Sequence, residues 1–206
     1  MTVVFNCSNT EAFIAAKNGP RAIFGNSSIY IGYQQVSGIN KDPRMIRFDN
    51  GTMTWCRTDY ETTGDDNTGY GLYWDGANNL FGVFSATGTQ TGNDFRRFST
   101  GRWLPSYGSG GGPRVAIIAK INATNGDVQY STYLSARLSD GRSNSLVVTS
   151  LNYTGTAIDV GANSWFAPRR TNKLPMNCTG SSPFRYNVTF AIDMITALSA
   201  SAINCV

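Results

Sequence analysis

A chain of 206 residues with 41% apolar and 12% aromatic side chains can bury one substantial core, and its 22 glycines and 15% charged content read as a Gly/Asn/Thr-rich β protein, not a disordered one. The net charge of +4 is too modest to argue for nucleic acid or a membrane surface. The absence of histidine excludes Ser-His-Asp and Cys-His catalysis, His-ligated zinc and facial-triad iron.

In chain order, residues 1–7 lack the basic segment and apolar stretch of a secretory signal. The only helix-like segment is 10–17. Strand-like runs then follow at 22–24, 29–33, 44–48, 52–56, 71–74, 80–84, 114–121, 127–134, 145–149, 157–160, 187–193 and 200–205, separated by Gly, Asn and Asp turn residues. Asn50-Gly51 and Asn125-Gly126 are hairpin signals, because both central positions of a type I′ turn need positive φ. Asp75-Gly76 and Gly155 mark a second hairpin in each unit. No apolar run is long enough to span a bilayer as a helix; the longest, Val115 to Ala119, is strand-sized.

The twelve runs form three groups of four and repeat with a period of roughly 70–75 residues, a scale typical of stacked supersecondary units. Met45 to Trp55 is echoed by Ile118 to Tyr130. Leu72-Tyr73-Trp74 and Leu80 to Phe84 are answered by Leu146-Val147-Val148 and Ala157 to Val160. Phe95-Arg96-Arg97 is answered by Phe166-Ala167-Pro168-Arg169-Arg170. The C-terminal runs look like the first half of a unit and the N-terminal runs like the second half. Pairing between them, within one chain or between chains, would close a ring and protect the edges. Leu72, Val83, Ile117, Ala119, Val147, Ile158 and Ile192 are the expected core.

Val115-Ala116-Ile117-Ile118-Ala119-Lys120-Ile121-Asn122, followed by Val128-Gln129-Tyr130-Ser131-Thr132-Tyr133-Leu134, resembles the bacterial seven-bladed β-propeller repeat family. Units of that family carry an AKL-N strand, a YSTYL strand, a polar loop and two further strands around a Gly/Asn turn. Runs 145–149 and 157–160 fit the last pair, and Trp165-Phe166-Ala167-Pro168 resembles the closing aromatic-proline segment. Two departures stand out: the units are too few for seven blades, and the glycine-rich stretch 108–112 lengthens one loop. The resemblance implies propeller-like blades and an extracellular or surface scaffold. It transfers no catalytic residue. The fold expected is therefore one all-β domain over residues 1–206, with about three four-stranded blades, closed on itself or completed by oligomerisation.

Carboxylate-pair chemistry would have to come from Asp59, Glu61, Asp65 or Asp66, which cluster in a Thr/Gly/Asn-rich stretch that also reads as a solvated turn. Residues 64–68 offer oxygen ligands for calcium without the spacing of a complete loop motif. Residues 108–113 precede a strand and lack the Gly-Lys-Ser/Thr ending of a phosphate loop, so they read as a flexible connection. Four widely spaced cysteines, Cys7, Cys56, Cys178 and Cys205, allow two disulfides in any of three connectivities, or four buried thiols. The candidate binding residues are Trp103, Trp165, Phe166, Arg96, Arg97, Arg169 and Arg170, since aromatic and Arg side chains anchor interfaces and flat rings stack on sugars. Burial between blades is the competing role for the same side chains. These features point to a non-catalytic structural or assembly protein without cofactor or metal, such as a bacteriophage capsid-decoration or tail component. The alternative is a secreted bacterial surface protein that adheres to glycans. Its partners would be other structural proteins, copies of itself or surface glycans, with no nucleic acid and no membrane insertion.

Overall fold

Turn chemistry sets the outline of the chain. Residues Asn50 and Gly51 both take positive φ, 52° and 76°, and close a two-residue hairpin between Asp49 and Thr52. At the second Asn-Gly only Gly126 does so (φ 78°), because the connection runs over several residues and is tied by Asn122 N–H to Asp127 O at 2.8 Å. The computed structural model describes residues 2–87, 92–109 and 114–206. Residues 110–113 of the glycine-rich stretch lie outside the described residues.

Among the described residues the fold is all-β apart from a short helix, α1 (Glu11–Ala15), and one 3₁₀ turn (Phe95–Phe98). A first antiparallel sheet contains β1 (Arg21–Phe24), β2 (Ser27–Gln35), β3 (Lys41–Asp49) and β4 (Thr52–Arg57). A second contains β5 (Thr68–Trp74), β6 (Leu80–Ala86), β7 (Val115–Ile121) and β8 (Val128–Leu134). The two-residue strands β9 (Ala136–Arg137) and β10 (Ser143–Asn144) form a ribbon. The third sheet contains β11 (Leu146–Tyr153), β12 (Ala157–Ser164), β13 (Phe184–Ala191) and β14 (Ala197–Ala202). Each expected run overlaps a strand.

The pairing of chain ends differs from expectation. Strand β13 pairs with β12 along its whole length, Ala157 opposite Ala191 through Ser164 opposite Phe184, so the C-terminal hairpin completes its own sheet. The N-terminal segment meanwhile occupies the edge of β2 beyond the end of β1, through Phe5 N–H to Tyr33 O and Tyr33 N–H to Val3 O. The C-terminal strands pair within the third sheet and not with β1.

The repeat is expressed as a shared irregularity. The hairpins β3–β4, β7–β8 and β13–β14 slip register at the same point, between Arg47 and Phe48, Lys120 and Ile121, and Thr189 and Phe190. Beside each slip a cross-strand pair shares one face of its sheet: Arg47 with Trp55, Lys120 with Tyr130, and Thr189 with Ser199. These pairs end a row across each sheet, and the rows decide how the sheets stack. In the first sheet the row is Ala22, Ile29, Arg47 and Trp55. It lies on the second sheet, with the Arg47 guanidinium 5.2 Å from the Trp74 ring and Trp55 Nε1–H donating to Ala123 O at 2.9 Å. In the second sheet the row is Tyr73, Phe81, Lys120 and Tyr130. It meets Tyr153 of the third sheet, and Tyr130 OH donates to Ile192 O at 2.8 Å. In the third sheet the row is Asn152, Asp159, Thr189 and Ser199, all small or polar, with Thr189 Oγ1–H donating to Asp159 at 2.7 Å.

The row that ends the stack is therefore small and polar, although Leu198 beside it is exposed. The other end of the stack is covered: Val3, Phe5 and Ile14 bury Tyr30, Ile46 and Phe48 on the outer side of the first sheet. A disulfide from Cys7 to Cys56 fastens this cap to β4, and a second joins Cys178 to Cys205. Terminal units of stacked folds use such caps to stay soluble. Of the expected core, Val83, Ile117, Ala119 and Ile158 are buried, while Leu72 and Val147 are half-buried. Residue Ile192 is 36% exposed because β13 stops at Ala191 and Ile192 enters the turn.

Candidate contact surface

Strand β12 delivers its last residue, Ser164, between Leu146 and Phe184, and the chain then leaves the sheet. The Ser164 hydroxyl donates to Phe166 O at 2.8 Å and turns the backbone outward. Two further bonds pin the segment: Arg137 N–H to Ala167 O and Met176 N–H to Pro168 O, each 2.8 Å. Trp165 and Phe166 are thus held on an anchored backbone, the residues 41% and 40% exposed.

The two rings form a ridge between two open grooves. One, of about 640 Å³, is lined by the ridge together with Arg137, Ser139, Asn177 and Phe184. The other, of about 450 Å³, is lined by the ridge with Arg114, Asn144, Ser145 and Val147. Among the described residues no carboxylate lines either groove. Among the described residues neither Arg114 nor Arg137 makes an ion pair, and Asp140, close in sequence to Arg137, is held by Arg142 at 2.8 Å.

The other binding residues expected from sequence lie elsewhere. Trp103 is a core residue, 2% exposed. Its Nε1–H donates to Thr171 O at 2.8 Å, and its ring meets the Phe190 ring edge-on at 5.2 Å, so it joins the third sheet to the loop before the second sheet's last strands. Arg96 is held by Asp94 at 2.8 Å, and that hydrogen bond raises its pKa. Arg97 is exposed, yet its guanidinium donates to Asp59 O and Tyr60 O at 2.8 and 3.0 Å and ties down a loop. Arg169 is buried and donates to Ser135 O, Ser135 Oγ and Lys173 O; burial, and then the charge of Arg137, push its pKa down to about 10. Arg170 donates to Val206 O. These four arginines fasten loops, because each finds backbone or carboxylate oxygens within reach. The cations beside the ridge are Arg114 and Arg137 instead. Nothing in their local sequence marks them, since folding alone brings the start of β7 and strand β9 to the end of β12.

The acidic cluster is dispersed by its partners. Asp59 pairs with Arg57 at 2.7 Å and Asp66 with Lys41 at 3.1 Å. Glu61 is fully buried, burial raises its pKa, and Thr63 N–H donates to its Oε1 at 2.5 Å. It shares with Asp65 and Asp94 a cavity of about 10 Å³, room for a single water and too small for a sugar or a peptide. Among the described residues no three His, Cys, Asp or Glu side chains come together as a metal site.

Two disulfides suit an oxidising compartment and are compatible with an extracellular protein. Among the described residues no helix is long and apolar enough to cross a membrane. No protein-family model matches the chain, and no curated protein matches it.

Proposed function

We propose that this chain is a non-catalytic extracellular contact protein, built as propeller-like blades in an arc, whose Trp165–Phe166 ridge is its point of attachment. The observation that carries the reading is the exposure of two adjacent large aromatics on a backbone pinned on both sides. Fully burying one such ring contributes about 1.5–3 kcal/mol. Leaving two in water on a rigid support is the arrangement of an interface anchor, where aromatic and Arg side chains dominate. Such a protein serves as a structural component of a virion, on its capsid or tail, or of a comparable assembly. The low charge content and the two disulfides favour that setting.

Attachment of a bacterial surface protein to glycans is the second reading, favoured by grooves that pair an exposed aromatic ridge with an arginine, amides and hydroxyls and carry no carboxylate among the described residues. Sedimentation and saccharide binding, measured on the wild type and on a Trp165→Ala/Phe166→Ala variant, test the proposal. Loss of self-association or of saccharide binding at unchanged melting temperature supports the ridge as the contact. A variant that matches the wild type in both measurements refutes it.

A further inference from the structure

We infer that the ridge takes an acidic saccharide, one sugar face on the Trp165 ring and carboxylates on Arg114 and Arg137. The inference rests on the contact reading above and adds the class of ligand. Three features carry it. First, the C–H groups of a pyranose are slightly positive and meet the negative face of an indole, and Trp165 is exposed and lines both grooves. Second, the grooves hold about 640 and 450 Å³, within the roughly 300–1,000 Å³ typical of small-ligand sites, and share the ridge, so one oligomer can run past it. Third, the charge is one-sided: each groove carries one arginine and no carboxylate, and neither arginine is engaged by an acid.

A guanidinium free of ion pairs offers a planar fork that fits a carboxylate in two parallel hydrogen bonds. Asn144 and Ser145 in one groove and Ser139 and Asn177 in the other supply amides and hydroxyls for sugar hydroxyls. A neutral glycan would leave both arginines unmatched. A nucleic acid would want a stripe of cations following its phosphates, and this surface has two.

The test uses the purified chain and three probes: oligogalacturonate, the same oligomer as its methyl ester, and dextran sulfate. Affinities are measured by biolayer interferometry at physiological salt. Oligogalacturonate should bind, and the neutral ester at least about tenfold more weakly, as expected when charge-assisted hydrogen bonds are lost. Arg114→Gln with Arg137→Gln should abolish the preference for the acid form. A control pair on the opposite end of the fold, Arg21→Gln with Lys17→Gln, should leave it intact. Trp165→Ala should abolish binding of both forms.

Equal affinity for acid and ester overturns the acidic class while leaving the ridge as a saccharide contact. Dextran sulfate binding that outcompetes oligogalacturonate and survives Trp165→Ala, with the control pair weakening it as much, reduces the effect to bulk charge and overturns the inference. Binding of none of the probes, with self-association still lost in Trp165→Ala, overturns the saccharide and preserves the contact proposal with a protein partner.

Discussion

Substituting Gly126 by alanine should destabilise this protein through Trp55, a residue on another sheet. Gly126 has φ +78°, and a Cβ there would lie 2.6 Å from Arg57 Cγ and 2.7 Å from Trp55 Cε3. Left-handed backbone adds about 1–2 kcal/mol for a non-glycine residue. Overpacking a tight contact adds about 1–3 kcal/mol. A loss near 3 kcal/mol lowers the melting temperature by about 6–12 °C for a domain of this size. Trp55→Ala alone should lose about 3–5 kcal/mol, the usual effect of removing a buried Trp ring. It leaves no orphaned acceptor, because Ala123 O keeps its bond from Arg47 at 2.8 Å. The double variant should relieve the part of the clash that Trp55 makes, leaving the contact with the flexible Arg57 side chain, so its loss should fall short of the sum by about 1–3 kcal/mol. Urea unfolding followed by circular dichroism of the four proteins measures this. Additivity within about 0.5 kcal/mol would show that the Trp55 ring does not pack on the Gly126 turn.

Reduction of the disulfides should lower stability by about 4 kcal/mol for Cys7–Cys56 and about 3.6 kcal/mol for Cys178–Cys205, from loop-closure entropy over sequence separations of 49 and 27; paired Cys→Ser variants in denaturant titrations separate the two. Burial alone would raise the Asp49 carboxyl, but hydrogen bonds from Ser27, Thr54 and Arg47 outweigh it and hold the pKa at about 2. Its contribution is thus complete above the unfolded value of 3.8 and lost as pH falls towards 2, so Asp49→Asn should flatten the stability curve across that window. Glu61 has the opposite sign: burial raises its pKa, so its protonated form suits the fold, and stability falls as pH rises through the folded value. Glu61→Gln should therefore raise the melting temperature at pH 7 more than at pH 4, and an equal loss at both would contradict this.

Strand positions were legible because the hydrophobic alternation and the Asn-Gly turns are local signals. The repeat was legible too, through Trp55 and Tyr130, which the fold places at equivalent points beside equivalent bulges. Sheet membership was not. A period is indifferent to phase, and whether β13 joins β12 or the N-terminal strands depends on where the loop of residues 165–183 returns. The ending of the stack could be read only once register was known, since it lies in Ser199 standing where Trp55 and Tyr130 stand in the other sheets. At the contact surface, Trp165 and Phe166 could be named, but so could Trp103, because an aromatic beside basic residues reads alike on a surface and in a core. Burial separates them, and it depends on Phe190 lying across the indole of Trp103. The disulfide pairing was equally invisible, as Cys7 meets Cys56 only when the N-terminal cap folds over β4.

The measurement that bears most directly on the contact surface compares Trp165→Ala with Trp103→Ala in retention on immobilised oligogalacturonate and in melting temperature. The two tryptophans sit in repeat-related loops but differ in exposure, 41% against 2%. Trp165→Ala should lose retention and melt within about 2 °C of the wild type, as surface substitutions do. Trp103→Ala should keep retention well below its own melting point and melt about 8–16 °C lower, from a loss of about 4 kcal/mol. The reverse pattern, retention lost with Trp103 and stability lost with Trp165, would contradict the assignment of the ridge as the contact.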